Sequence, residues 1–278
     1  MDLTHVAAAL LSAVLHASWN AAVKASRNPA QAATAQMTFA ALVGLPGLWW
    51  VGLPPVEAWL WIALSTAINT VTVPAMLRAY ALGGFGFVYP VMRAVAVLMV
   101  VPLAAVVAGD LVGPWGMLGI GVIALSLLAL AFDAARAKGA DLRALGWTLA
   151  AGLGTAAYVI ADAQGVRAAG SPWSYGIVVS LTNALAMMVR QRRSLPSLAE
   201  VPGVMGVAVP AGIASMASYL LILWVFSQAP IAPAAALRDT SALFAILIAA
   251  VFLRERFTPL RIAAVALAAA AVPLLRLG

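Results

Sequence analysis

The chain has no cysteine, only two histidines, His5 and His16, and charged residues at just 9% of its 278 positions. The missing thiols exclude a disulfide framework, a thiolate nucleophile and cysteine-ligated metal. There is no HExxH, no aspartate-rich metal motif and no nucleophile elbow, so neither a metal nor another cofactor is expected. The scarcity of charge excludes an ordinary soluble surface, because hydrophobic residues fill 64% of the chain and a water-soluble fold cannot hide that proportion. Charge is also unevenly placed. Residues 88–107 hold one charge, Arg93, and residues 203–227 hold none. Apolar runs of about 20 residues match the hydrocarbon thickness of a bilayer at helical rise.

What is present is therefore a set of membrane spans. Backbone groups in lipid must bond internally, which leaves helices or a closed barrel. The run IGVIALSLLALAF at 120–132 lacks the period-two alternation of barrel strands, so helices are expected. Ten spans are predicted, near 4–24, 31–52, 58–79, 86–108, 112–132, 144–166, 172–189, 203–227, 232–253 and 258–276. The start, MDLTHVAAALL, lacks a basic n-region and reads as the first span rather than a cleavable leader. The net charge of +7 is assigned to loops facing the cytoplasm and anionic headgroups, not to nucleic acid.

The polar stretch DAARAKGADLR at 133–143 leaves five spans on either side, and a second polar stretch lies at 190–200. A shift of 145 residues brings Arg93 onto Arg238, Asp110 onto Glu255 and Pro114 onto Pro259. Intramembrane arginine is costly and rare, so the first coincidence carries weight. We expect a first repeat at 1–133, a linker at 134–143 and a second repeat at 144–278. An odd number of spans per repeat inserts the halves in opposite senses, the architecture of many secondary transporters, with the substrate site at the midplane between them. The fold class expected is an all-α integral membrane protein of ten transmembrane helices, two inverted five-helix repeats around a central cavity.

The odd-numbered connections carry Lys24, Arg27, Arg78, Arg136, Lys138, Arg143, Arg190, Arg192, Arg193, Arg254, Arg256 and Arg261. The even-numbered ones and the termini carry only Arg167 and Arg276. This bias places the odd connections in the cytoplasm and both termini outside.

Ionisable residues within spans are functional candidates by default. In the first span His16, Trp19 and Asn20 share one helix face, with Ser12 one turn back. They read as a cavity wall or as interhelical glue. In the sixth span Tyr158 and Asp162 share a face with Thr155 nearby. Asp162 either meets a substrate ammonium or a coupling proton, or forms a structural ion pair with Arg238 or Arg93. Arg238 and Asp239 are neighbours in the ninth span and point about 100° apart, so they face different surroundings. Arg238 and Arg93 offer planar forks for a carboxylate, and the orientation above sets Arg93 toward the cytoplasm and Arg238 toward the outside. Asn69, Thr72, Met76 and Tyr80 follow helical spacing in the third span, and Tyr89, Tyr219 and Trp224 complete the candidates. Arg78, at a span end, is read as snorkelling. Trp49, Trp50, Trp59, Trp61, Trp115, Trp147 and Trp173 are read as interfacial belts.

Two five-span halves, the segment His16-Ala17-Ser18-Trp19-Asn20-Ala21 followed by Lys24, and the segment Val251-Phe252-Leu253-Arg254-Glu255-Arg256-Phe257-Thr258, with Asp110 at the matching acidic position of the first half, together resemble the EamA-type ten-span exporters of the drug/metabolite transporter superfamily, YddG-like amino-acid exporters among them. The resemblance implies both termini in the cytoplasm, against the charge bias. It also implies a secondary transporter that exports amino acids, including aromatic and other neutral ones, or similar metabolites across a bacterial inner membrane by alternating access. A small-molecule substrate, the lipid bilayer and a monomer are the expected partners and state. The alternatives are a multidrug or other metabolite exporter of the same fold and a membrane-embedded enzyme. The latter needs a convergent acid/base or metal cluster that the sequence does not offer.

Overall fold

The computed structural model describes residues 1–138, 141–192, 201–253 and 258–277, and every regular element among them is helical. The helices are α1 (Leu3–Ala25), α2 (Pro29–Gly44), α3 (Leu48–Val51), α4 (Val56–Gly83), α5 (Phe85–Ala108), α6 (Pro114–Lys138), α7 (Leu142–Ala169), α8 (Pro172–Arg190), α9 (Val201–Gln228), α10 (Ile231–Asp239), α11 (Ser241–Leu253) and α12 (Pro259–Leu277), with a 3₁₀ turn at Leu45–Gly47. Eight of them are long and apolar enough to cross a membrane.

Local sequence sets the boundaries. Asp2 and Asn28 cap α1 and α2 by accepting from His5 N and Gln31 N, and Ser171 does the same for α8 through Ser174 N. Such caps satisfy amides that have no partner inside the helix. Pro29 and Pro172 sit in the first turns, where no donor is needed. One residue, Gly84 at φ +72°, separates α4 from α5. Only glycine takes that angle without strain.

Two expected spans are interrupted. The range 31–52 is helical to Gly44, tightens into the turn holding Pro46 and ends in the four-residue α3. Proline has no N–H to continue the ladder. The range 232–253 breaks at Thr240, whose N–H and hydroxyl both turn back to Leu237 O. The expected linker also shortens, because α6 runs on to Lys138. The expected motif at 251–258 falls largely on Arg254, Glu255, Arg256 and Phe257, outside the described residues, as do Arg193 and the rest of the polar stretch to 200.

The helices pack as a single bundle in which each half embraces the other. α1 lies on α9 and α4 on α7, α2 touches α8 and α9 while α4 touches α8, and α6 lies along α12. The outer surface is apolar, with Trp49 90% and Leu111 85% exposed among many exposed Leu, Val and Trp side chains. A soluble monomer does not expose apolar area on that scale; a bilayer covers it. Trp49, Trp50, Trp59, Trp115 and Trp173 cluster at helix ends of the face that also carries the N-terminus, here called the even face. The opposite, odd face carries the turns at 26–28 and at Gly84. Arg78 is exposed, as a snorkelling residue should be.

Candidate functional site

Small residues let the helices approach closely, yet the bundle centre does not close. A cavity of about 140 Å³ lies between α1, α2, α4 and α5 on one side and α7, α8, α9 and α10 on the other. At ~10–15 Å³ per water it has room for roughly ten water molecules. Its walls run from mid-helix toward the odd face, through Val23 near the end of α1, Ala33 near the start of α2 and Met76 toward the end of α4. None of its residues lies in the first two turns of α1, α4 or α8 or in the last two turns of α5 or α9, the turns next to the even face.

Nine of the twelve expected site residues line this space: His16, Trp19, Asn20, Asn69, Arg93, Tyr158, Asp162, Tyr219 and Arg238. Three do not. Tyr89 is buried beneath Arg93, its ring 5.0 Å from the guanidinium carbon and its hydroxyl 3.0 Å from Ser241 Oγ. Tyr80, in the last turn of α4, packs at a tilt against Phe85, and its hydroxyl has no hydrogen-bond partner among the described residues. Trp224, near the even end of α9, packs on His5. These aromatics share helices with cavity residues but point into helix contacts.

The charged centre is built around His16. Arg93 Nη2 meets His16 Nε2, and Arg238 Nη2 lies 3.4 Å from His16 Nδ1. Arg93 sits toward the odd end of α5, and Arg238 on α10, which starts at the even face, yet the two side chains converge on one imidazole. Arg93 also donates to Asp239 Oδ1 at 3.1 Å, an ion pair with side chains only 4% and 6% exposed. The break at Thr240 makes this possible. Arg238 and Asp239 occupy the last turn of the short α10, where Arg238 faces the cavity and Asp239 faces α5.

A neutral imidazole offers one acceptor nitrogen. Guanidinium groups only donate, so His16 can satisfy one arginine. The closer contact and the Asp239 carboxylate both go to Arg93. Arg238 is left without a carboxylate among the described residues, and its Nε has no hydrogen-bond partner there.

Asp162 takes the other wall. The expected ion pair with Arg93 or Arg238 does not form. Instead Ser65 Oγ donates to Oδ1 at 2.6 Å, Tyr175 OH to Oδ1 at 3.1 Å and Tyr219 OH to Oδ2 at 2.8 Å. Three hydroxyls give a carboxylate strong acceptor bonds, and among the described residues no cation pairs with it directly. The cause is packing, because α7 lies against α4, α8 and α9, and each presents a hydroxyl there.

Sequence reasoning missed Gln36, Met37, Ser180 and Asn183 among the lining residues, and Ser65 and Tyr175 behind Asp162. Gln36 and Asn183 carry a visible signal, being lone amides inside apolar spans. Ser65 stands four residues before Asn69 on the same helix face. Tyr175 gives no signal in the sequence. Asn183 Oδ1 has no partner among the described residues. The site thus offers a free cationic donor, a carboxylate without a countercharge and a free amide acceptor, beside Met37, Met76, Met92 and Met216.

Comparison with known proteins agrees with this fold. A crystal structure of a protein aligns with 98% of this chain and 95% of its own, with a TM-score of 0.78 at 15% identity, and 27 chains of solved structures match in all. At that identity the likeness speaks for the fold alone. No curated protein matches the chain. Residues 142–277 match the EamA-like transporter family. Residues 142–277 thus carry an EamA-like transporter domain, consistent with the drug/metabolite transporter superfamily, and with its long apolar helices the chain is a multi-pass membrane protein.

Proposed function

We propose that the protein is a secondary transporter that moves amino acids or similar small zwitterions across a bacterial inner membrane by alternating access. The observation that carries this reading is Arg238, a guanidinium 5% exposed, facing the cavity without a carboxylate partner. A buried charge is costly until it is paired, and a substrate carboxylate fits its planar fork. Asp162 and Asn183 Oδ1 then receive an ammonium group. The polarizable methionines, unbranched and adaptable, accept varied apolar side chains. Asp239 is taken up by Arg93, so the cation left at the cavity wall is Arg238, which favours a ligand that carries a carboxylate over the simple cations that a multidrug exporter takes.

The proposed frame is ten spans in two inverted repeats, 1–133 and 144–278. It counts α2 with α3, and α10 with α11, as interrupted spans. Several observations support it. Helices α4 and α9 both have 28 residues and are offset by 145, the shift that relates Arg93 to Arg238. Contacts also exchange when the halves are exchanged: α1 on α9 answers α7 on α4, and α2 on α9 answers α8 on α4.

The test is counterflow of labelled amino acids in proteoliposomes of purified protein. Wild type is expected to exchange neutral amino acids, and Arg238→Lys to lose most of that exchange. Absence of exchange for the whole amino-acid panel refutes the reading.

A further inference from the structure

Arg167, in the last turn of α7, is one of only two basic residues on the even face in the expected topology. All its donor nitrogens are used. Nη1 and Nη2 grip the two oxygens of Asp110 at 3.1 Å each, Nη2 also donates to Ala229 O at 3.1 Å, and Nε donates to Phe226 O at 3.2 Å. Asp110 Oδ2 in turn accepts from Ile231 N, the first residue of α10, at 2.8 Å. Beside this hub Gln164 donates to Val107 O at 2.8 Å. One planar fork therefore ties together the α5–α6 connection, the end of α7, the end of α9 and the start of α10. The cavity stops short of this face.

The odd face carries an ion pair of its own, Arg261 to Asp133 at 2.8 Å, but it joins α12 to α6, and neither helix lines the cavity. At the odd mouth of the cavity no such clasp is found among the described residues. Lys24, in the last turn of α1 as Arg167 is in the last turn of α7, reaches Tyr80 O at 3.5 Å. An ammonium cannot reproduce the bidentate fork. The two ends of the cavity are thus held unequally, and the cavity runs toward the weaker one.

Of the inter-half ion pairs, the two that involve cavity-lining helices also differ in wetness. Arg93–Asp239 is dry, whereas Arg167 is 29% and Asp110 15% exposed. Separating a dry pair strands both charges. A partly hydrated pair parts at lower cost because water takes over its hydrogen bonds. Such a pair suits a contact that opens and recloses. Its grip on Ile231 N links it to α10, the nine-residue helix that carries Arg238 and Asp239.

Resting on the alternating-access reading above, we infer that the Arg167–Asp110 hub is the gate of the even face, and that its advantage over Lys24 sets a resting state closed there and open toward the odd face. The gate parts once per cycle, releasing the start of α10 and admitting solvent from the even side.

The cysteine-free chain allows clean spin labelling at Val106→Cys and Gln228→Cys, two exposed positions near the even ends of α5 and α9. Wild type is expected to give a dominant short distance, with a longer population that grows on adding a transported amino acid. In Asp110→Asn and Arg167→Gln the long population rises without substrate by roughly tenfold, corresponding to ~1.4 kcal/mol. Arg167→Lys, which keeps the charge and preserves folding if the other variants misfold, is expected to fall between. Unchanged distances in folded Asp110→Asn and Arg167→Lys overturn the gate assignment. If substrate leaves the wild-type distances unchanged as well, alternating access itself is refuted. If substrate shifts wild type and the variants match it, only the gate is refuted.

Discussion

Replacing Asp239 by alanine removes the one carboxylate paired with Arg93. The pair is 3.1 Å long and its side chains are 4% and 6% exposed. Water therefore cannot take over the freed guanidinium. Removing one member of a buried pair costs about 3–5 kcal/mol because the other charge is left uncompensated. The surroundings aggravate this, since Arg238 faces the same imidazole. Against a total stability of about 5–15 kcal/mol, the loss is a large fraction. The pair itself is worth far less than its breakage, because desolvating both charges offsets most of their attraction. Arg93→Leu combined with Asp239→Leu is therefore expected to be much closer to wild type than Asp239→Ala alone. Equilibrium unfolding in mixed micelles, followed by tryptophan fluorescence, measures all corners of the double-mutant cycle. Asp239→Ala within about 1 kcal/mol of wild type refutes a dry ion pair at this position. So does a double variant as unstable as the sum of its parts.

Arg238→Lys keeps the charge and loses the fork, so substrate affinity in proteoliposomes should fall roughly 10- to 100-fold, the worth of a charge-assisted hydrogen bond at about 1.5–3 kcal/mol, with unfolding little changed. Asp162→Asn should abolish exchange of zwitterions while sparing binding of a carboxylate that lacks an ammonium group, measured by competition; equal loss of both refutes its role as the ammonium acceptor. Gly165→Ala places a methyl group onto the ring of Tyr175, which is fully buried and bonded to Asp162. It should cost about 1–3 kcal/mol by overpacking and lower transport in the same variant.

The spans were legible because the bilayer imposes a length and an apolar composition on each, and residues 88–107 or 203–227 cannot be read otherwise. Their interruptions were less so. Pro46 is a breaker in plain view, but the break at Thr240 arises where hydroxyl and amide both turn to Leu237, and no single residue type announces it. His16, Arg93, Asp162 and Arg238 were found because intramembrane charge is expensive enough to stand out. Their pairing was not legible. Asp162 and Asp239 were both open to an arginine, and the choice depends on which helices lie beside them: hydroxyl-bearing α4, α8 and α9 for one, α5 for the other. Tyr80, Tyr89 and Trp224 failed as cavity residues for the same reason. Spacing gives a helix face but not what that face meets.

The apolar effect that assembles soluble bundles is absent between helices already in lipid, so specific polar contacts and close packing must hold the two halves together. Here those contacts run across the division between the halves. Ser12 and Ser218 each donate to the other's carbonyl, Thr66 shares a hydrogen bond with Thr182, Ser65 serves Asp162, Arg93 serves Asp239, and Asp133 holds Arg261. The contacts at mid-depth are the same ones that shape the binding site. His16 from the first half engages one arginine from each half, and among the described residues only Arg93 of the two receives a carboxylate. The division of labour is thus set by unequal supply: two guanidiniums and one carboxylate at the hub, with the second carboxylate held across the cavity by hydroxyls. A ligand that brings its own carboxylate to Arg238 and its own ammonium to Asp162 completes both groups at once. It also closes one more bridge between the halves that the proposed alternating-access cycle moves relative to each other. Binding and movement then use the same set of contacts, which is the physical condition for a substrate to bias a carrier from one face to the other.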